Sequence, residues 1–191
     1  HVVGVTGSAG KTSTKDMMAT LLRTDDPTVA PKGSFNNEIG HPYTVLQCTP
    51  ETKYLVAEMS ARGIGHVAHL ARIAPPTIGA VLNVGTAHLG EFGSREAIAQ
   101  AKGELVEALP AAEQGGVAVL NADDDYVTGM APRTQAKVVF FAADENSERH
   151  ATADYRATNV QLDDLARASF DLHVPDGRTF PIQLQVLSLI H

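Results

Sequence analysis

The chain opens on an apolar run, Val2-Val3-Gly4-Val5, and passes through a glycine-containing loop. Met17, Met18, Leu21 and Leu22 then recur at helical spacing until Asp25-Asp26-Pro27 breaks the pattern. This predicts strand, loop, helix. Apolar runs and helical stretches alternate from there: residues 54–59 predict a strand, 66–73 a helix and 78–84 a strand. The longest predicted helix, 95–109, has Ser94 as its N-cap and carries Ala97, Ile98, Ala101, Leu105 and Leu109 on one stripe. Residues 117–120 and 138–141 are apolar runs suited to a sheet covered on both faces. From Arg156 the period falls to two over 156–162, 168–174 and 178–184, with Pro175-Asp176-Gly177 as a hairpin turn. The pattern predicts an α/β fold: a mostly parallel sheet flanked by helices over residues 1–150, then a small antiparallel three-stranded meander over 151–187, with 142–153 as linker.

Composition narrows the classes. A chain of 191 residues that is 43% hydrophobic has the size of one main domain with a substantial core. Its formal net charge of -7 argues against wholesale binding of nucleic acid. The lone Cys48 excludes an internal disulfide framework and a multi-cysteine zinc site. No apolar run approaches the ~20 residues needed to cross a bilayer, so the expectation is a soluble, cytoplasmic protein with no membrane partner. His1 in place of an initiator Met, and an end at Ser188-Leu189-Ile190-His191 without a cap, lead to the expectation of an excised domain.

The first strand runs into Gly7-Ser8-Ala9-Gly10-Lys11-Thr12-Ser13 and then a helix, the context of a phosphate loop (P-loop) that binds ATP. Small residues let backbone N–H groups close around phosphate oxygens, Lys11 reaches the β and γ phosphates, and Thr12 ligates Mg²⁺. The general pattern has a glycine five residues before Gly10, where this chain has Val5. Glu58 ends an apolar strand, where ligand-facing groups of such sheets lie; it is either a Mg²⁺ ligand or a solvated surface acid. His88 follows another strand and is either aimed into the same crevice or structural. Lys102 reads as an exposed lysine on the polar face of the long helix. Asn36, Asn37 and Glu38 lie in a polar loop suited to substrate recognition, although turn formation explains them equally well. Asn121 and Asp123 close a strand where adenine or ribose could be hydrogen-bonded; the rival role for Asp123 is capping the next helix.

These residues in this order resemble the central domain of the Mur ligases, from about Val2 to Leu187. That family's loop begins Thr-Gly and lacks the earlier glycine, so Thr6 to Thr12 fits and Val5 ceases to be a departure. Lys15, the Asn36-Asn37-Glu38 loop with Gly40 and Pro42, and Ala101-Lys102-Gly103-Glu104 look most like the MurF type. The resemblance implies an ATP-dependent ligase acting through an acyl phosphate, with UDP-MurNAc-tripeptide and D-Ala-D-Ala as substrates. It implies two Mg²⁺ ions held by Thr12, Glu58, His88 and Lys102, with Thr12 and Glu58 on one, His88 helping to hold the second, and Lys102 carbamylated by CO₂. It further implies an N-terminal UDP-binding domain and a C-terminal domain absent here, a full-length monomer, and no turnover by this domain alone. A folylpolyglutamate-synthase-like ligase, or a P-loop nucleotide-binding module without ligase activity, is the alternative. Arg62 stands where the resemblance leads one to expect a smaller or polar residue, and Ser188 to His191 depart from the family's continuation.

Overall fold

A computed structural model describes residues 1–87 and 89–187. His88 and Ser188 to His191 therefore lie outside the described residues. The strands are β1 (Val2–Thr6), β2 (Thr28–Val29), β3 (Tyr54–Glu58), β4 (Ile78–Val81), β5 (Val117–Asn121), β6 (Lys137–Ala142), β7 (Tyr155–Leu162), β8 (Arg167–His173) and β9 (Thr179–Leu187). The helices are α1 (Lys11–Leu22), α2 (Gly40–Val45), α3 (His66–Ile73), α4 (Leu89–Phe92), α5 (Arg95–Glu107) and α6 (Asp125–Thr128). The strands form one nine-stranded sheet in the order β2-β3-β1-β4-β5-β6-β7-β8-β9. Pairings from β2 through β7 are parallel, and β7, β8 and β9 pair antiparallel.

The predicted meander thus continues the main sheet, joined to it through Phe141 opposite Tyr155 and Ala142 opposite Arg156. The predicted linker is not slack chain. It carries a short 3-10 turn, His150–Thr152, and the buried His150 ring bonds the Ala157 carbonyl at 2.8 Å. The strand expected to reach residue 84 stops at Val81, because Asn83 turns away to bond the loop after β1. The expected helix 95–109 ends at Glu107, two residues before the one that precedes Pro110, where the proline disfavours helical backbone. Three short elements escaped the pattern: β2 is two residues long, α4 is a single four-residue turn, and α2 hides in a polar stretch whose Pro42 is tolerated because it falls in the first turn.

Both faces of the parallel part are covered. Val3, Val5, Val56 and Ala80 pack against Ala19 of α1, while Leu55, Ala57 and Val81 join Val67, Leu70, Ile98 and Leu105 from α3 and α5. On the second face α5 comes unusually close. A β-carbon added to Gly4 would lie 2.8 Å from Leu105 Cδ1, and one on Gly79 would lie 3.1 Å from Leu105 Cγ. Leu105 is fully buried there, so the two glycines set how deep α5 sits.

Gly4→Ala is expected to destabilise the chain by about 1–3 kcal/mol through overpacking, read as a drop of several degrees in the thermal midpoint. An unchanged midpoint would show that α5 can lift without cost.

Candidate active site at the carboxyl ends of the parallel strands

β1 delivers the chain into the loop of residues 7–10, and Gly10, at φ 80°, makes the left-handed turn that starts α1. No side chain caps α1 and no acid lies in its first turn, so its N-terminal amides are left for an anion. The loop is held from beneath by a residue the sequence reading gave no role. Asn83 Oδ1 accepts from the Ser8 and Ala9 amides at 2.9 Å each, its Nδ2 donates to the Ala9 carbonyl, and the Gly85 amide donates to Ser8 Oγ. Its signal was an asparagine just past an apolar strand end, beside the loop in a parallel sheet. Lys11 Nζ donates to the Gly7 carbonyl at 2.8 Å, arching over the loop, and Ser13 is half-buried in the first turn of α1.

Glu58 is a buried acid, 1% exposed, which settles its sequence alternatives against a solvated surface role. Thr12 Oγ1 donates to its Oε2 at 2.8 Å and Asn36 Nδ2 to its Oε1 at 2.6 Å. The Asn36 loop is itself anchored by Lys15, fully buried in α1, which donates to the Pro31 and Gly33 carbonyls. The rest of that loop separates: Asn37 Oδ1 accepts from the Ile39 and Gly40 amides as a turn former, and Glu38 is exposed, 3.4 Å from His66. Arg62, also exposed, lies in the segment between β3 and α3.

Lys102 corrects the reading from composition. It is 4% exposed, because it lies four residues after Ile98 and three before Leu105, on the buried face of α5. Burial, and secondarily the charge of Lys11, lower its pKa to about 8. Burial also lowers the pKa of Lys11, against the opposing pull of Glu58. Lys11 is therefore within electrostatic reach of both the Glu58 carboxylate and the Lys102 ammonium beside the phosphate loop. The neighbouring Glu104, also buried, accepts from the Gly65 and Ala68 amides and so caps the N-terminus of α3.

Asn121 and Asp123 form a separate group at the end of β5. Asn121 Nδ2 donates to the Leu82 carbonyl and its Oδ1 accepts from the Asp123 amide. Asp123 does not cap the next helix. Asp124 does, accepting from the Tyr126 and Val127 amides with Oδ1 and from Val84 with Oδ2. Asp123 Oδ2 instead takes the Ala143 and Asp144 amides, and its Oδ1 is buried without a partner.

Hard oxygen donors at Thr12 and Glu58 suit Mg²⁺, an ion commonly held by one or two carboxylates together with substrate phosphates. Among the described residues no group of three or more His, Cys, Asp or Glu gathers as a metal cage, and His88 lies outside them.

Residues 5–189 match the Mur ligase middle domain. The UDP-N-acetylmuramoyl-tripeptide:D-alanyl-D-alanine ligase of Mycobacterium tuberculosis is 56% identical over 177 residues, 93% of this chain and 33% of that protein. The crystal structure of MurF from Acinetobacter baumannii superposes with a TM-score of 0.86 at 32% identity, over 97% of this chain and 38% of that one. MurF from Thermotoga maritima, solved in complex with ADP, gives 0.80 at 32% identity, over 95% and 40%. The chain spans about a third of the length of the curated relatives it matches. Shared sequence and shared fold run together from β1 to the last described strand, and the chain belongs to the Mur ligase middle-domain family.

Proposed function

We propose that this chain is the ATP-binding unit of a ligase that joins D-Ala-D-Ala to UDP-MurNAc-tripeptide in the synthesis of peptidoglycan precursors. The observation that carries the reading is the buried Thr12–Glu58 pair at the mouth of a phosphate loop, faced by Lys11 and by a buried lysine that the loop itself does not need. The relatives' names supply the substrates, and the ADP in the Thermotoga enzyme supplies the nucleotide. The parts of the relatives outside the matched span would hold the UDP sugar and complete the nucleotide and dipeptide contacts. On this reading the chain alone does not turn over, and the full-length enzyme is a cytoplasmic monomer.

The γ-phosphoryl group of ATP passes to the terminal carboxylate of the tripeptide, giving an acyl phosphate and ADP. The dipeptide amine attacks the acyl carbon, and inorganic phosphate leaves as the amide forms. Transfer between anions needs positioning and charge more than covalent catalysis. Lys11 and the free amides of α1 hold the phosphates, Asn83 keeps the loop open in shape, and Asn36 orients Glu58. Mg²⁺ at Thr12 and Glu58 would offset phosphate charge, and the resemblance assigns a second ion to His88. Asn121 and Asp123 face the nucleoside side on the same reading; of the substrate loop, Asn36 keeps a site role through Glu58, while Asn37 shapes the turn and Glu38 is the member exposed to a substrate.

The lowered pKa of Lys102 leaves a fraction of free amine near neutrality, and that amine adds CO₂ to give a carbamate anion and a proton. A carbamate would replace the repulsion between Lys102 and Lys11 with attraction.

Phosphate release by the longer protein that contains this chain is expected to require a muramoyl tripeptide together with D-Ala-D-Ala. Release with a folate and glutamate instead, or with neither, would overturn the ligase assignment. In calorimetry of the chain with Mg-ATP, Lys11→Ala is expected to weaken binding about tenfold to a hundredfold, as befits loss of a charge-assisted contact; equal affinities would remove Lys11 from the site. Lys102 also makes a pH signature. Its folded pKa lies below its unfolded one, so the unfolded chain binds the extra proton between about pH 8 and 10.5 and parent stability rises across that window. In CO₂-depleted buffer Lys102→Met should be the more stable by up to about 3 kcal/mol below pH 8, the gap closing by pH 10.5. A gap independent of pH would mean that the ammonium is not strained.

A further inference from the structure

Among the described residues no hydrogen bond or ion pair fixes the Lys102 side chain, so its direction depends on how α5 is seated and packed. Three of the contacts that hold α5 have been described: the Ser94 cap, the two glycines under Leu105, and Glu104 on the amides of α3. A fourth is more specific. Arg133, at the end of a 3-10 turn over Ala131–Arg133 that follows α6, lies flat against α5 at Gly103. Its Nη1 donates to the Ala99 carbonyl at 3.2 Å and its Nη2 to the Gln100 carbonyl at 2.9 Å. Its Nε reaches Glu107 Oε1 at 2.9 Å, and Nη2 meets the same oxygen at 2.8 Å. Those two carbonyls belong to the turn that ends at Gly103 and Glu104, so the planar fork takes their remaining lone pairs.

Gly103 is what admits the fork. A β-carbon there would stand 1.9 Å from Nη1 and 2.2 Å from Cζ, inside the guanidinium itself. Glycine weakens a helix interior, and α5 carries one at the point where Arg133 meets its backbone, one residue after Lys102. A side chain that grips residues 99, 100 and 107 of one helical face at once resists rotation of the helix about its axis, a motion that apolar packing restrains poorly.

We propose that Arg133, seated over Gly103, is a positioning residue: it sets the rotation of α5 and thereby keeps the Lys102 side chain buried and facing Lys11. The importance of that placement rests on the ligase reading, but the placement can be read without any ligase activity. Cyanate supplies isocyanic acid, which adds across its C=N bond to a free lysine amine to give a carbamoyl-lysine. Its extent at each lysine of the purified chain is resolved by peptide mass spectrometry. Exposed Lys53 calibrates reagent, and fully buried Lys15 reports any global opening.

Gly103→Ala evicts the guanidinium while strengthening helix propensity, and Arg133→Met removes it. Each is expected to raise labelling of Lys102 about fivefold against Lys53, as for a modest local opening, with Lys15 at the parent rate. The double variant should label no faster than either single one, because both remove the same contact. Arg133→Lys should behave like Arg133→Met, since one ammonium cannot span two carbonyls and Glu107. Parent-like labelling of Lys102 in Gly103→Ala, effects that multiply in the double variant, full rescue by Arg133→Lys, or Lys15 rising in step would each overturn the proposal. A failed ligase reading would instead appear in the phosphate-release assay and leave this labelling pattern intact.

Discussion

The depth at which α5 lies on the sheet governs the rest of the site. Gly4 in β1 and Gly79 in β4 leave no β-carbon between the strands and Leu105, so backbone and side chain meet at van der Waals distance. At that depth Lys102 is buried within electrostatic reach of Lys11 and Glu104 reaches the first amides of α3. The N-terminus of α3 in turn fixes the segment that follows Glu58. Several features that look unrelated in sequence therefore depend on one close approach, and a shift of α5 would be felt by all of them because a packed core does not deform smoothly.

Charge gathers around the phosphate loop: Lys11 and Thr12 open α1, Glu58 ends β3 and accepts from Thr12, and Lys102 approaches from α5. Desolvation is the largest influence on both lysines, which raises the cost of their mutual repulsion and the gain from any anion that enters between them. Glu58 avoids the usual penalty of a buried carboxylate by accepting from both Thr12 and Asn36. Of the two lysines, Lys11 bonds the Gly7 and Ser8 carbonyls, while Lys102 makes no side-chain hydrogen bond among the described residues, which leaves positive charge uncompensated beside the phosphate loop.

The order and type of the main elements were legible because parallel strands covered on both faces are continuous apolar runs, and the meander alternates with period two. Boundaries failed where a side chain overruled local pattern: Asn83 pulls the chain off β4 to support the loop, although by composition it belongs to the strand's end. α2 was hidden because glycine, histidine, proline and threonine carry little helical signal, and only packing makes them one. Lys102 falls four residues after Ile98 and three before Leu105, on the apolar stripe itself, and misleads because its charge outweighs its position; the burial of Glu104 depends on α3, which the pattern of α5 says nothing about. Composition alone made Lys102 an exposed lysine; the resemblance to a family was what singled it out. The capping role that stood as the alternative for Asp123 belongs to its neighbour Asp124, whose extended backbone lets its carboxylate meet the Tyr126 and Val127 amides.

The two ends of the sheet bear on how the molecule behaves in a crowd of its own copies. An open sheet of nine strands presents two free edges, and unpaired backbone donors and acceptors there are templates for growth from one chain to the next. One edge, β2, is two residues long, too short to seed a ladder. The other, β9, is long, but Pro181 brings no amide proton to either side and a register irregularity interrupts its pairing with β8. Edge-to-edge polymerisation is disfavoured at both ends by means that leave the carboxyl ends of the parallel strands untouched.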